Sequence, residues 1–287
     1  MHYTSFKSSR NLASLFIGNS FKGELMPEDD KIDGFDNLHV LDMGGCQLSG
    51  KIPLWISRLT NLNMLLLNNN QLTGPIPGWI NSLDHLFFMD VSNNNLVGEI
   101  PLNLTEMPML KSTGDGTRFD LVFQLPIYHA LLRQYRVVTS VPKVLNLSHN
   151  YFTGVIPQQI GQLKVLDVLD FSSNELSGQI PNSIGNITNL MLLDLSNNNI
   201  TGAIPGALDN LHFLGKFNVS RNDLEGRVPS GGQFNTFGAS SFDGNTKLCG
   251  PMLIQKCGSI EAPPATNLST KQFGYKVPFG ISVHSLL

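Results

Sequence analysis

One phrase, LxxLxLxxNxLxGxIP, recurs along the chain and constrains its fold more than any other feature. Its asparagine stands at Asn70, Asn94, Asn150, Asn174, Asn198 and Asn222. Successive asparagines are 24 residues apart, except that Asn94 and Asn150 are 56 apart, which is 24 plus 32. Cys46 occupies the slot 24 residues before Asn70, and an irregular earlier copy starts at Leu12. A unit repeated at this period buries its apolar face only by stacking on its copies, so the pattern predicts a solenoid.

Each recurring position has a mechanical role. Leucines at positions 1, 4, 6 and 11 are expected to point inward, where full burial of each contributes about 1.5 to 3 kcal/mol. Residues around positions 3 to 7 are expected to form a short strand, and successive strands to form a parallel sheet on the concave face. The asparagine at position 9 both donates and accepts hydrogen bonds, so it suits a buried turn. Glycine and proline in GxIP turn the chain.

Composition excludes several function classes. The net charge is −3 at pH 7, which argues against binding to nucleic acid or an anionic membrane. No apolar stretch approaches the ~18 to 20 residues of a membrane span, and the first residues lack the apolar core of a secretory signal. We therefore expect no direct membrane insertion by this chain. The three cysteines, Cys46, Cys249 and Cys257, allow at most one internal disulfide and one free thiol, and Cys46 reads as a buried thiol.

The GxIP phrase resembles the plant-specific class of leucine-rich repeats, which occurs in receptor kinases, receptor-like proteins and secreted inhibitors. The resemblance covers about residues 12–257. It implies an α/β fold, a right-handed solenoid with a concave parallel β-sheet. The run PSGGQFNTFGASSFDGNTKLCG, from Pro229, is similar to the end of such ectodomains, where a cysteine-paired cap follows the last turn. The resemblance implies that Cys249 pairs with Cys257, beside Asn245, Leu248 and Gly250.

The residues that interrupt the repeat resemble a smaller group of proteins within this class. Residues 110–141 resemble the island segment of the phytosulfokine and tyrosine-sulfated glycopeptide receptor group, in which the island folds over the concave face and helps to bind a short secreted peptide. The predicted organisation is repeats at 12–109, the island at 110–141, repeats at 142–237, a cysteine cap at 238–257 and a disordered tail at 258–287. The chain shows neither the signal peptide, the amino-terminal cysteine cap, the transmembrane helix nor the kinase of that family.

Candidate ligand-binding residues fall in two places. Concave positions 5, 7 and 8 are expected to carry Asn146, His149, Asp170 and Asp194, although the phrase LDLS is also simply the repeat consensus on a solvated face. In the island, Phe119, Leu121 and Phe123 alternate with polar residues as in a strand, whose edge could pair with an extended peptide. Arg136 could hold a sulfate through its fork of donors, or it could merely solubilise the insertion.

Catalysis is not expected. His149, Asp170 and Ser196 lie on consecutive predicted strands, yet serine at position 7 occurs in nearly every turn and so carries no information. There is no phosphate loop, kinase motif or cluster with metal-ligand spacing, and no cofactor is expected. We predict a non-enzymatic module.

The sequons and the paired cap cysteines together predict an extracellular location. The candidate glycosylation sites are Asn103, Asn186, Asn199 and Asn267. By resemblance the location is the outer side of the plasma membrane or the apoplast, and the partners are a short secreted peptide, a partner receptor ectodomain, or both. Two alternatives stay open: a secreted inhibitor of a foreign enzyme, whose repeats are normally unbroken, and a nonfunctional truncated gene product.

Overall fold

Parallel strands, one from each turn of a repeating chain, build the core of this molecule. The computed structural model describes residues 9–20, 22–27, 32, 34–111 and 141–257. Strands are numbered in chain order as β1 to β16. One eight-stranded sheet, called here the main sheet, has the order β1-β2-β4-β6-β8-β10-β12-β14, and all its pairings are parallel. Its strands are Ser14–Phe16 (β1), Val40–Asp42 (β2), Met64–Leu66 (β4), Phe88–Asp90 (β6), Val144–Asn146 (β8), Val168–Asp170 (β10), Leu192–Asp194 (β12) and Lys216–Asn218 (β14).

Two smaller parallel sheets, called here the lateral sheets, are formed by positions 10 to 14 of the repeat. Their orders are β3-β5-β7-β9 and β11-β13-β15-β16, and a bridge between Val155 and Ser177 joins them. Their strands are Ser49–Gly50 (β3), Gln71–Gly74 (β5), Asn95–Glu99 (β7), Tyr151–Thr153 (β9), Ser177–Gln179 (β11), Asn199–Gly202 (β13), Asp223–Arg227 (β15) and Lys247–Cys249 (β16).

Short helices close each turn on the side away from the main sheet. The 3-10 helices span Leu54–Arg58, Gly78–Ser82, Leu102–Glu106, Gln158–Gln162, Asn182–Asn186, Gly206–Asn210, Gly232–Thr236 and Ala239–Ser241, and one α-helix (α1) spans Pro108–Lys111. The first six of the 3-10 helices follow the proline of GxIP directly. Proline sets its own φ and offers no N–H, which suits the start of a tight helix.

The core lies between the sheets and these helices as one continuous column. The repeat leucines behave as the pattern predicts: at position 4, Leu41, Leu65, Leu169 and Leu193 are all fully buried. The solenoid reading, with a parallel sheet of one strand per turn, is thereby confirmed. The strands are shorter than predicted, since they cover positions 3 to 5 and the chain turns at position 7.

The asparagine at position 9 links neighbouring turns through hydrogen bonds. Asn70 accepts from the backbone N–H of Cys46 and Leu48 in the preceding turn, at 3.0 and 2.9 Å. Its amide nitrogen donates to the carbonyls of Met43 and Leu67, both at 2.9 Å. The bond from the N–H at position 11 of the preceding turn and the bond to a carbonyl of that turn recur down the column, called here the asparagine ladder, at Asn94, Asn150, Asn174, Asn198, Asn222 and, in the cap, Asn245. Every hydrogen-bonding group of these amides serves the backbone.

The repeat continues in register across its interruption. Strand β6 pairs directly with β8, so Asp90 lies opposite Asn146 although 56 residues separate them along the chain. Leu110 is fully buried, and its carbonyl accepts from the backbone N–H of Val165 at 3.3 Å. The insertion therefore leaves the stacking of turns unbroken.

The carboxyl-terminal end of the column is closed by aromatic packing and a disulfide. Phe234 and Phe237 pack on Phe217, with ring centroids 5.0 and 5.5 Å away. A disulfide joins Cys249 to Cys257, the pairing that the resemblance implies. This closure gives the last turn the neighbour that a solenoid end otherwise lacks.

None of the helices in the described part of the chain is long and apolar enough to cross a membrane.

Candidate functional site

The outward side of the main sheet carries a column of side chains from repeat position 5, called here the position-5 column. Its members, from β1 to β14, are Phe16, Asp42, Leu66, Asp90, Asn146, Asp170, Asp194 and Asn218. Each is the register partner of the next, so successive side chains are about 4.8 Å apart. The column is polar from Asp90 onward, which makes it the candidate ligand surface.

One oxygen of each polar member has a structural task. Oδ1 of Asp170 accepts from the backbone N–H of Ser172 at 3.0 Å and from its hydroxyl at 2.7 Å. Asn146 does the same with Ser148, and Asp42 and Asp90 accept from the backbone N–H two residues later. These bonds form an Asx turn that leads the chain out of the strand. The LDLS consensus therefore has a structural explanation, and only the second carboxylate oxygen is left over for a ligand.

Asp170 and Asp194 form the most unusual electrostatic feature of the column. They are register partners on β10 and β12, and Asp194 is only 8% exposed. Burial raises the pKa of Asp170, the hydrogen bonds from Ser172 oppose this rise, and the nearby charge of Asp194 adds to it. Asn218 donates to Oδ2 of Asp194 at 3.3 Å, while Oδ2 of Asp170 has no hydrogen-bond partner among the described residues. Asp170 thus offers an acceptor on the outward side of the sheet.

A second column, at position 3, lies beside the first and is apolar. Positions 3 and 5 are two residues apart along each strand, so they lie on the same side of the sheet, opposite position 4. The members of the position-3 column between its ends are Val40, Met64, Phe88, Val144, Val168 and Leu192. Val40, Met64 and Val144 are buried, whereas Phe88, Val168 and Leu192 are half-buried and can contact a ligand. Sequence reasoning missed this column because it treated position 3 only as part of the strand. The period-2 alternation around the buried position 4 was the signal that could have found it.

Positions 7 and 8 differ from the expectation. The position-7 residues Ser148, Ser172 and Ser196 are buried, so the expectation that position 7 faces a ligand is wrong for these three turns. Position 8 adopts a left-handed backbone in every regular turn, with φ of 53° at His149 and 55° at Asn69. Asparagine is frequent there because it tolerates this conformation better than most residues. His149 itself is exposed.

The arrangement contains no catalytic triad. The hydroxyl of Ser196 donates to Oδ1 of Asp194 at 2.6 Å inside the protein and does not reach His149. No group of three or more His, Cys, Asp or Glu side chains that could hold a metal occurs within the residues that the structure describes.

The island candidates Phe119, Leu121, Phe123 and Arg136 lie outside the described residues, as does the sequon at Asn267. Of the other candidate glycosylation sites, Asn186 and Asn199 are exposed. Asn103 is half-buried, and its amide donates to Asn81 at 3.4 Å.

Comparisons with known proteins agree with this architecture. The Leucine Rich Repeat family model matches residues 37–59, 61–83, 142–163, 165–187 and 189–211. Receptor-like protein 3 of Arabidopsis thaliana is 54% identical over 266 residues, which is 90% of this chain. The chain spans 35% of the length of that relative.

Solved structures show the same fold in proteins of different function. The ectodomain of the Arabidopsis receptor kinase HAESA, in complex with an extended IDA peptide hormone, matches with a TM-score of 0.63 at 28% identity. That match covers 88% of this chain and 35% of HAESA. A plant ice-binding protein matches with a TM-score of 0.58 at 27% identity, over 87% of this chain and 76% of its own. Since one fold serves both, function has to be argued from the site. The chain contains leucine-rich repeats, is homologous to part of a plant receptor-like protein and is similar in fold to plant receptor ectodomains.

Proposed function

We propose that the chain is a ligand-binding part of a receptor-type ectodomain and that it recognises a short, extended peptide on the main sheet. The single observation that carries the proposal is the pair of columns on one side of the main sheet, in which the half-buried apolar residues Val168 and Leu192 lie beside the polar residues of position 5 on consecutive strands. The complex of HAESA with a peptide hormone supports it, because the main sheet has a counterpart in that fold.

The two columns offer an extended peptide two kinds of contact. Side chains at position 3 recur with about the spacing of adjacent strands, and position 5 supplies a hydrogen-bond acceptor in the same turn. A peptide lying across the strands would place apolar side chains on Val168 and Leu192. Its backbone N–H groups or a cationic side chain would face Oδ2 of Asp170. Binding energy would come from the apolar contacts, and the acceptors would fix the register of the peptide.

A sulfated peptide would need a second site for its anion. The position-5 column carries carboxylates at Asp42, Asp90, Asp170 and Asp194, which would repel a sulfate. We assign the sulfate to Arg136 in the insertion, and the backbone of the peptide to a strand edge at Phe119, Leu121 and Phe123. This assignment rests on the sequence and on the family resemblance alone.

In this proposal the chain has no catalytic task and acts on the outer side of the plasma membrane or in the apoplast. A partner receptor ectodomain is its second proposed partner. The sequons and the disulfide between Cys249 and Cys257 support an oxidising, extracellular setting.

The test is a calorimetric titration of the full chain. Peptides would first be selected from a random octapeptide library made with sulfotyrosine, and each would then be compared with its unsulfated form. We expect saturable binding that weakens at least about tenfold without the sulfate, the loss of one charge-assisted contact. Arg136→Gln should abolish that sulfate dependence. The matched control is Arg118→Gln, which removes another arginine of the insertion at 110–141 and should preserve the dependence.

Two results would count against the proposal. Absence of any saturable peptide binding would remove the receptor function. Saturable binding without sulfate dependence would remove only the assignment to sulfated peptides.

A further inference from the structure

Exposed apolar residues gather at one place on the lateral sheets. Val97, Tyr151 and Val155 are 44%, 51% and 56% exposed. Val97 on β7 is the register partner of Tyr151 on β9, and Val155 follows β9 by two residues. The exposed Pro75 belongs to the turn before Val97 and packs beside Gly98. These four residues are called here the lateral patch.

The repeat itself provides a reference for judging this patch. Position 10, where Tyr151 stands, carries Gln71, Asn95, Glu175, Asn199 and Asp223 in other turns. Position 12, where Val97 stands, carries Thr73, Thr153, Ser177, Thr201 and Glu225. Because all turns fold alike, the solenoid does not require an apolar side chain at either position. Clustering of the exceptions on adjacent strands indicates a contact surface, since a soluble protein normally scatters its exposed apolar residues singly.

Val155 packs on the next turn of the lateral sheets. A Cβ on Gly178 in the next turn would lie 2.8 Å from Cγ1 of Val155, so the valine lies flat against the glycine backbone. Gly178 also has a φ of 74°, a conformation that other residues rarely adopt. One face of the Val155 side chain is therefore packed on the neighbouring turn, and the other face is exposed to a partner.

Two carboxylates border the patch without a cation. Glu99 occupies position 14 in the turn before Val155, and Glu175 occupies position 10 in the turn after Tyr151; both are exposed. Neither forms an ion pair with any residue that the structure describes. Farther along the same surface, Asp223 is paired with Lys247 at 2.9 Å. The two unpaired glutamates give the border of the patch a local negative charge.

The geometry points to the lateral patch as a docking surface for a segment of another protein that presents an apolar side chain between two basic residues. The apolar side chain packs between Val97, Tyr151 and Val155, and the flanking cations face Glu99 and Glu175. A second copy of this chain is a poorer occupant, because it would bring its own Glu99 and Glu175 against the same charges. The surface is distinct from the main sheet, so this docking does not depend on the proposed peptide binding.

The test uses the full chain and a phage-displayed library of random heptapeptides. The key variant combines Val97→Thr, Tyr151→Asn and Val155→Gln, residues that other turns carry at the same positions, so folding is expected to persist. The matched control is Phe213→Asn, which removes an apolar side chain that is 68% exposed outside the patch. Asparagine already stands at the equivalent position of other turns, as Asn61 and Asn189.

We expect enrichment of peptides with an apolar residue flanked by lysine or arginine. Their affinity should fall at least about tenfold in the triple variant, the loss typical of a buried contact residue. It should also fall in Glu99→Gln/Glu175→Gln, which leaves the apolar residues intact, and should weaken as the salt concentration rises. Phe213→Asn should bind within about twofold of wild type.

Three outcomes would overturn the inference. The first is that no selected peptide depends on the lateral patch. The second is enrichment of acidic or uncharged sequences by the patch. The third is a concentration-dependent dimer in sedimentation velocity that the triple variant abolishes, which would make the patch a self-association surface.

Discussion

Two columns rich in Asp and Asn, at positions 5 and 9 of the repeat, differ in how much of their hydrogen-bonding capacity the protein uses. In the asparagine ladder, Asn94 accepts from Leu72 in the preceding turn and donates to the carbonyls of Leu67, Val91 and Ser92. In the position-5 column, Asp170 uses Oδ1 for its own turn, and Oδ2 faces outward. Asp and Asn side chains are thus structural where the protein binds all of their polar atoms. Where one oxygen has no hydrogen-bond partner, the side chain is available to bind a ligand.

The largest expected effect is a loss of stability at the asparagine ladder. Asn94→Ala removes the partner of the Leu72 N–H and one of the two donors to each of three carbonyls, those of Leu67, Val91 and Ser92. An unsatisfied buried N–H costs about 1 to 3 kcal/mol and each further hydrogen bond lost costs about 0.5 to 1.5 kcal/mol, so we expect the free energy of unfolding to fall by about 3 kcal/mol. Urea denaturation followed by circular dichroism measures this. The matched control Asn95→Ala, at an exposed position, should stay within about 0.5 kcal/mol of wild type. Equal losses of stability in the two variants would contradict the structural role assigned to the asparagine ladder.

A smaller effect is expected where the ladder contains a cysteine. The thiol of Cys46 donates to the carbonyl of Ile17 at 3.1 Å, as an asparagine amide would, but it does not accept from two N–H groups as Asn70 does. Cys46→Ala should therefore cost about 1.5 kcal/mol, mostly from lost packing. The same denaturation experiment checks it. A loss as large as that of Asn94→Ala would show that the amide bonds of the ladder are not what stabilises each turn.

The smallest effect on stability is expected at Asp170. Because burial and Asp194 raise the pKa of Asp170 in the folded state, the folded protein binds a proton more readily than the unfolded chain. The free energy of unfolding therefore falls as the pH rises from the ordinary aspartate pKa of 3.8 through the raised pKa. In Asp170→Asn this contribution to the pH dependence is absent. We expect Asp170→Asn to lie within about 1 kcal/mol of wild type at pH 7, on the more stable side. The advantage should vanish below pH 3.8; an advantage that grows on acidification would show the sign to be wrong.

Much of the fold follows from the sequence because the same pattern of buried and turn-forming positions recurs in each repeat. The buried leucines, the parallel register and the role of position 9 all come from the repeat, and the bond from the N–H of Leu96 to Asn150 shows that the asparagine keeps this role across the insertion. The sequence does not reveal which atoms remain unsatisfied. The Asx turn of Asp170 with Ser172 depends on local backbone geometry, and it turns half of each expected ligand group into a structural one.

The candidate surfaces were harder to predict for a related reason. The lateral patch becomes visible only when burial shows that Tyr151 and Val97 are exposed, since the sequence alone would allow either to join the core. The insertion follows no repeat, so Arg136 and its neighbours can be interpreted only by resemblance. Periodic segments specify their own structure, whereas the residues that give the molecule its function are those that depart from the period.

The most direct test of the account compares binding with stability in one variant that replaces Asp42, Asp90, Asp170 and Asp194 by asparagine. Asparagine retains the acceptor that each Asx turn needs and removes the outward charge. Calorimetric titration with the selected sulfated peptide should show affinity weakened at least about tenfold, with the unfolding midpoint in urea nearly unchanged. Unchanged affinity would contradict the central claim that the position-5 column binds the ligand while the asparagine ladder holds the fold.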